Sequence, residues 1–443
     1  MAPPVDFVRG DSAGPSATSV VVIGGGIIGV CTAFFLARKG VPVVLCEKGE
    51  IAAEQSGRNG GWCGKMGHDP RELPLAVEAM RLWPEMNSLI GGETGFRRAG
   101  IAYLCRTPRE LRKRESWLEL VAKPAGLDTR MLTRDQACRA LPGLSGAWLG
   151  ALYTPTDGGA EPALAAPAIA GSARRLGAVI LTRCAVRGLD IAGGAVAGVV
   201  TERGRIACAR VVLAGGVWSR LFCRPLGVRL PQLKVLSSAM RTGRLDGGPD
   251  ASASGFGFGL RKRLDGGYTV AGWSNTIADI VPDTLRFRRE FWPAQRLRGR
   301  EITLRLGGRF VTELAQPSRW DLDRPSPFEA TRSLDPPPHR PILRQARHYA
   351  TDAFPVFHGV HIAETWGGMI DMTPDGLPVI SSVDGFPGFF IATGFSGHGF
   401  GIAPAAGRLM AELLTCETPV VDPSPFRYSR FLDGSKPSPS PLV

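Results

Sequence analysis

An α/β fold with a buried parallel sheet, drawn from distant parts of the chain and joined to a largely antiparallel α+β unit, is predicted from three observations. First, the β-branched run Val20 to Ile23 is followed at once by three glycines and an apolar segment of helix length. Such a continuous apolar strand suits a sheet covered on both faces. Second, two further apolar runs, "RVVLAGG" and "GFFIATG", also end in glycine, far along the chain. Third, "GFGLRKRLDGGYTVAGW" alternates in polarity about Asp265-Gly266-Gly267, as a β-hairpin does.

The elements follow in order. In "SVVVIGGGIIGVCTAFFLARKGVPVVLCEKGE", Gly24, Gly26 and Gly29 fit G-x-G-x-x-G between a strand and a helix. The first glycine makes the turn, the second admits a pyrophosphate, and the third lets helix and strand pack closely. The next strand ends at Glu47, 21 residues after Gly26, where a carboxylate accepts ribose hydroxyls. The segment Val20 to Ala37 is uncharged and long enough for a bilayer, but its glycines assign it to strand, turn and helix. After Glu47 comes a loop rich in Gly, Ser and Asn, "KGEIAAEQSGRNGGWCGKMGH", suited to wrapping a large ligand with backbone donors. Three glycine-ended strands point to one long ligand across one sheet edge, FAD rather than NAD. "RLPQLKVLSSAMRTG" and the hairpin at 265–267 read as strands, and alternation through "GRFVTEL" reads as another. "DTLRFRREFWPAQRLRGREITLRL" is amphipathic and Arg-rich, predicting one or two solvated surface helices.

Composition narrows the function class. The 443 residues carry a net charge of +13, but the basic residues are scattered without interleaved aromatics, so no nucleic-acid partner is expected. Nine cysteines without a C-x-x-C pair argue against disulfides and structural zinc, and predict buried thiols in a cytoplasmic protein, with peripheral membrane association open. No metal is expected.

Taken together, the G-x-G-x-x-G start, Glu47, "SGRNGG", "VVLAGGVWS", the W-G-G…TPDGLP segment and "IATGFSGHGFGIAPAAG" resemble the D-amino-acid oxidase superfamily of FAD-dependent amine and amino-acid oxidoreductases. Glycine oxidase, sarcosine oxidase and the D-amino-acid dehydrogenases are members. The similarity runs from Ser19 to near Leu414. It implies a Rossmann-like FAD-binding domain in discontinuous pieces (18–95, 151–229 and 350–432), a substrate domain (96–150 and 230–349), a flexible leader (1–17) and a disordered tail (433–443). It also implies where non-covalent FAD lies. Gly24, Gly26, Ile27, Ile28 and Gly29 meet the pyrophosphate, and Glu47 with Lys48 the ribose. Ser56, Arg58, Asn59, Gly60 and Gly61 follow the phosphate and ribityl chain. Val186 holds the adenine, while Ala214, Gly215 and Trp218 flank the cofactor. Gly368, Gly394, Ser396, Gly397, His398 and Gly399 cradle the isoalloxazine. Relatives tether FAD through a Cys at the position of Gly368; Cys63 and His68 are the remaining tether candidates.

The turn-rich stretch "ETWGGMIDMTPDGLPVISS" departs from the family pattern. Where amino-acid oxidases place a carboxylate-gripping Arg, this chain has Ile370, with Asp371 beside it. The lysine that follows G-H-G-F in sarcosine-oxidase-like relatives is Gly401. Two accounts stay open. Lys65, Arg58 or Arg332 holds a substrate carboxylate, or an amine substrate meets Asp371; Asp371 equally suits a cap of its own turn, as Asp375 does. The catalytic candidates are therefore His398, Asp371, Trp366, Lys65 and Arg58. The implied activity oxidises a C–N bond of an amino acid or a secondary or N-substituted amine to an imine, with oxygen or an electron carrier as acceptor. A D-amino-acid oxidase or dehydrogenase, or a non-catalytic FAD subunit, is the alternative.

Overall fold

The computed structural model describes residues 3–272, 276–299 and 302–442. Val20–Ile23 is buried along its whole length and pairs in parallel with Val43–Cys46 on one side and Arg210–Leu213 on the other. Val179–Leu181 and Phe389–Thr393 extend this parallel sheet, and Val379–Ser382 closes one edge antiparallel. All three glycine-ended strands foreseen from sequence thus lie side by side, in the order Phe389–Thr393, Arg210–Leu213, Val20–Ile23. Helix Ile27–Arg38 is apolar all round, because it is sandwiched against helices Pro162–Arg175 and Gly399–Thr415 in the largest core cluster.

A ten-stranded sheet forms the second layer. Its centre is the long strand Leu233–Thr242, flanked by Tyr268–Ala271 and Thr276–Asp279 and paired along its length with Ile362–Met372. Phe258–Lys262 and Tyr268–Ala271 make the expected hairpin. Two strands fall outside the boundaries expected from sequence. Gly150–Thr154 and Ile362–Met372 belong to this large sheet, although the second was read as turn-rich and assigned to the FAD pieces. Its two adjacent glycines masked the strand; Gly367 packs on the Pro336 and Pro337 carbonyls, where a Cβ has no room.

Two further expectations are corrected. "GRFVTEL" is helix Arg309–Leu314, not a strand. The Arg-rich segment forms the expected surface helices, Pro282–Arg286 and Arg288–Arg298, followed by strand Ile302–Arg305, and Leu285, Trp292, Leu297, Leu304 and Leu306 are exposed on it. Leader and tail are packed: Asp6 N donates to Ala163 O, Asp11 N to Ile180 O at 2.7 Å, Arg71 to Ser438 O, and Leu442 sits on the cluster around Trp117. All nine cysteines are free, Cys138 and Cys416 exposed and the rest buried. Among the described residues no helix is long and apolar enough to cross a membrane.

Candidate functional site

At the glycine turn after Val20–Ile23, Gly24 holds φ +111°, and a Cβ there would lie 2.9 Å from the Ala214 carbonyl carbon. Helix Ile27–Arg38 opens without an acidic residue in its first turn or a cap from its own N-cap side chain; the Ile27 N–H is instead taken by Ser56 Oγ at 2.8 Å. Its positive end is therefore free to face an anion. Glu47 accepts from Gly25 N at 2.6 Å and Gly49 N at 2.7 Å, fixing both turns at the end of its strand. Burial raises its pKa, and these two donors oppose the rise. Lys48 Nζ bonds Glu54 (2.7 Å) and the Thr331 and Arg332 carbonyls, and stands 4.4 Å over the Trp218 ring. Trp218 Nε1 donates to Glu54. Val186 begins the strand Val186–Ala192 and is buried.

At the other end, Asn59 Oδ1 accepts from Gly61 N while its amide donates to Ser56 O, both at 2.7 Å, which shapes the Gly60–Gly61 turn. Sequence reasoning missed what holds this turn from outside. Arg261 donates to Gly60 O at 2.6 Å and pairs with buried Glu161 at 3.0 and 3.1 Å. Trp366 Nε1 donates to Arg58 O at 2.8 Å, and Gly368 lies against the Arg58 stem. Opposite them runs the turn Gly394–Gly399, with Gly394 and Gly397 at φ +76° and +92° and Ser396, a non-glycine, at +50°. Ile370 reaches Gly397, where a Cβ would touch its side chain at 3.8 Å. His398 sits at the N-cap of helix Gly399–Thr415.

The catalytic candidates are tied into the protein as follows. Asp371 neither caps its own turn nor stands open to an ammonium group. Its buried carboxylate accepts from Gly394 N and Gln55 Nε2, both at 2.7 Å, Gln232 Nε2 at 3.1 Å and Thr393 Oγ1 at 3.3 Å. Three of these donors converge on Oδ2 and Gln55 takes Oδ1, so the carboxylate is held at both oxygens. Gln55 and Gln232 come from distant segments, so nothing local announced them. Lys65 is occupied by Thr156 (2.6 Å) and Asp128 (3.1 Å), and Arg332 by Glu202 and the Lys48 carbonyl. Arg58 pairs with Asp335 at 2.6 Å yet keeps a buried donor, Nη2, without a partner. Asp375 does cap its turn, through Leu377 N, but its main partner is buried Arg430 at 2.9 Å. Gly401 is glycine because the helix start packs onto Trp62–Cys63: a Cβ would lie 2.9 Å from Trp62 O. As tether candidates, Cys63 is fully buried with its thiol pKa pushed up by burial, and His68 is bound to Glu72.

Comparison with known proteins agrees with this geometry. The family model of the FAD dependent oxidoreductases, DAO, matches residues 19–413. The chain belongs to that family. The cradle fits the cofactor, because the glycine turns leave backbone N–H groups and a bare helix N-terminus where side chains would otherwise stand. The enzyme is an FAD-dependent oxidoreductase of the amino-acid and amine class. It is 27% identical to the glycine oxidase of Pseudomonas aeruginosa over 92% of this chain and 97% of that one. The structure of the L-amino acid deaminase from Proteus myxofaciens, in complex with anthranilate, is similar with a TM-score of 0.92 and 35% identity, covering 96% of each chain. The L-amino acid deaminase from Proteus vulgaris gives 0.91 and 31%, covering 96% of this chain and 100% of that one.

Proposed function

We infer that this flavoenzyme oxidises the Cα–N bond of an L-α-amino acid with an apolar side chain to the imine, which water hydrolyses to a keto acid and ammonia. The observation that carries this reading is the whole-chain likeness to an L-amino acid deaminase, at 35% identity and a TM-score of 0.92. It favours a primary amino acid over the secondary or N-substituted amine that the missing arginine at 370 left open. Register puts Ile370 opposite Val235 and Trp366 opposite Ala239, one apolar face beside the glycine turn. Such a face suits an apolar side chain and excludes water. Arg58, against Gly368 on this face and with Nη2 unpaired, is the cation we assign to the carboxylate.

When bound, FAD supplies the hydride acceptor. The protein's share is positioning: the sheet face and the glycine turn hold the substrate Cα–H in one orientation. The test is an anaerobic titration of the purified holoprotein with paired L- and D-enantiomers of leucine and phenylalanine, and with N-methylglycine, following flavin absorbance. Reduction by the L-enantiomers alone is expected. Reduction only by D-enantiomers or by N-methylglycine overturns the reading, and the anaerobic format keeps the result independent of the electron acceptor.

A further inference from the structure

A buried ionic cluster lies beside the last turn of the cradle. Glu72, at the head of helix Leu73–Ile90, is 1% exposed, and its carboxylate faces two imidazoles. Oε2 lies 2.7 Å from His68 Nδ1 in a hydrogen bond, and 3.3 Å from His398 Nδ1 without the alignment of one. Glu72 Oε1 is buried without a partner, and so is His398 Nδ1. The rings meet edge to face with centroids 5.1 Å apart, and His68 Nε2 is 3.1 Å from the Gly64 carbonyl. The other charged groups nearby are Asp157, which pairs with Lys65 at 3.9 Å, and Arg71, which is held by Asp69. The 2.7 Å approach is shorter than the roughly 3.3 Å that separates two ligands on a tetrahedral ion. The cluster is a hydrogen-bonded ion network.

We propose that Glu72 is a positioning residue for the cofactor: it turns His398 so that Nδ1 faces the carboxylate and Nε2 is left for the flavin cradle, and thereby raises the reduction potential of bound FAD. A carboxylate beside one imidazole nitrogen fixes the orientation of the ring, the arrangement found behind metal-bound and catalytic histidines. The ring so held stands at the N-cap of helix Gly399–Thr415, whose positive end favours the negative charge that FAD gains on reduction. The ionisation of the cluster agrees. Burial pushes the Glu72 carboxyl up, but the charge and hydrogen bond of His68, with the His398 imidazole beside it, outweigh it and hold the group at about 2. Burial pushes His68 down, and Glu72 outweighs that, leaving it raised. A buried carboxylate that stays ionised needs a cation beside it.

The proposal rests on FAD binding alone, not on the substrate reading, and its test uses no substrate. The midpoint potential of holoprotein FAD is measured by equilibration with a reference dye for the parent, Glu72→Gln, His398→Gln and the double variant. Each single variant is expected to lower the potential, so that the reduced-to-oxidised ratio at a fixed potential falls by about tenfold. The double variant is expected to fall no further than His398→Gln. An unchanged potential in Glu72→Gln, or additive losses in the double variant, overturns the proposal. Should Glu72→Gln fail to retain FAD, His68→Gln is read instead: a smaller shift in the same direction supports the proposal, and none overturns it.

Discussion

Asp371 shows how a single carboxylate is recruited by distant parts of the chain. Its four donors come from Gln55, Gln232, Thr393 and Gly394, so it ties the large sheet to the glycine turn Gly394–Gly399. Asp371→Asn sets an amide donor against at least one of these donors. It is expected to lose FAD affinity and about 2 kcal/mol of stability, read by urea unfolding. Unchanged FAD affinity with a selectively raised KM would instead restore the ammonium role. The Asp375–Arg430 pair is buried on both sides, with side chains 1% and 5% exposed. Arg430→Ala leaves an uncompensated charge and is expected to cost roughly 3 kcal/mol or more, with Asp375→Asn in the same chain recovering part of it. Arg430 lies 55 residues from Asp375, so at this scale the sequence revealed the capping aspartate but not its partner.

Elements were legible where the local pattern and the packing agree. The strand, turn and helix from Val20 to Arg38 and the hairpin at 265–267 needed only their own residues, because glycine placement and apolar period say the same thing. "GRFVTEL" alternates like a strand yet forms a helix, its Arg309 bonded to Asp279 and to Glu313 one turn on. Short segments with mixed period are decided by such tertiary partners. The helix Gly399–Thr415 is constrained most at its start. Gly401 meets Trp62 O and Cys63 Cα, and its own carbonyl accepts from Trp83 Nε1 at 2.6 Å. Gly401→Lys, which restores the residue of sarcosine-oxidase-like relatives, is therefore expected to displace the helix and yield protein depleted in FAD. The ratio of flavin to protein absorbance reads this, and full occupancy would show that the helix start yields to a side chain.

Across the whole molecule, buried carboxylates set opposing pH limits. Burial raises Asp157 from 3.8 to about 6, so its contribution is complete below 3.8 and is lost as pH rises through about 6. Glu72 and Glu329 are held at about 2, below their ordinary 4.5, so their contributions are complete above 4.5 and are lost as pH falls toward 2. From these groups stability is expected to peak near pH 4.5 and to fall between there and about pH 6, seen in holoprotein thermal melts. Asp157→Asn is expected to flatten that falling limb and leave the acid limb in place. The sequence by itself determined the α/β class, the family and the cofactor. Those follow from glycines, strand-end acids and apolar runs whose meaning is local or repeats in order along the chain. The tertiary structure alone decided which cations are free, what Asp371 holds, where the large sheet ends and which acid stands behind His398. Each of those depends on groups brought together from distant segments, and burial there changes what a charge costs.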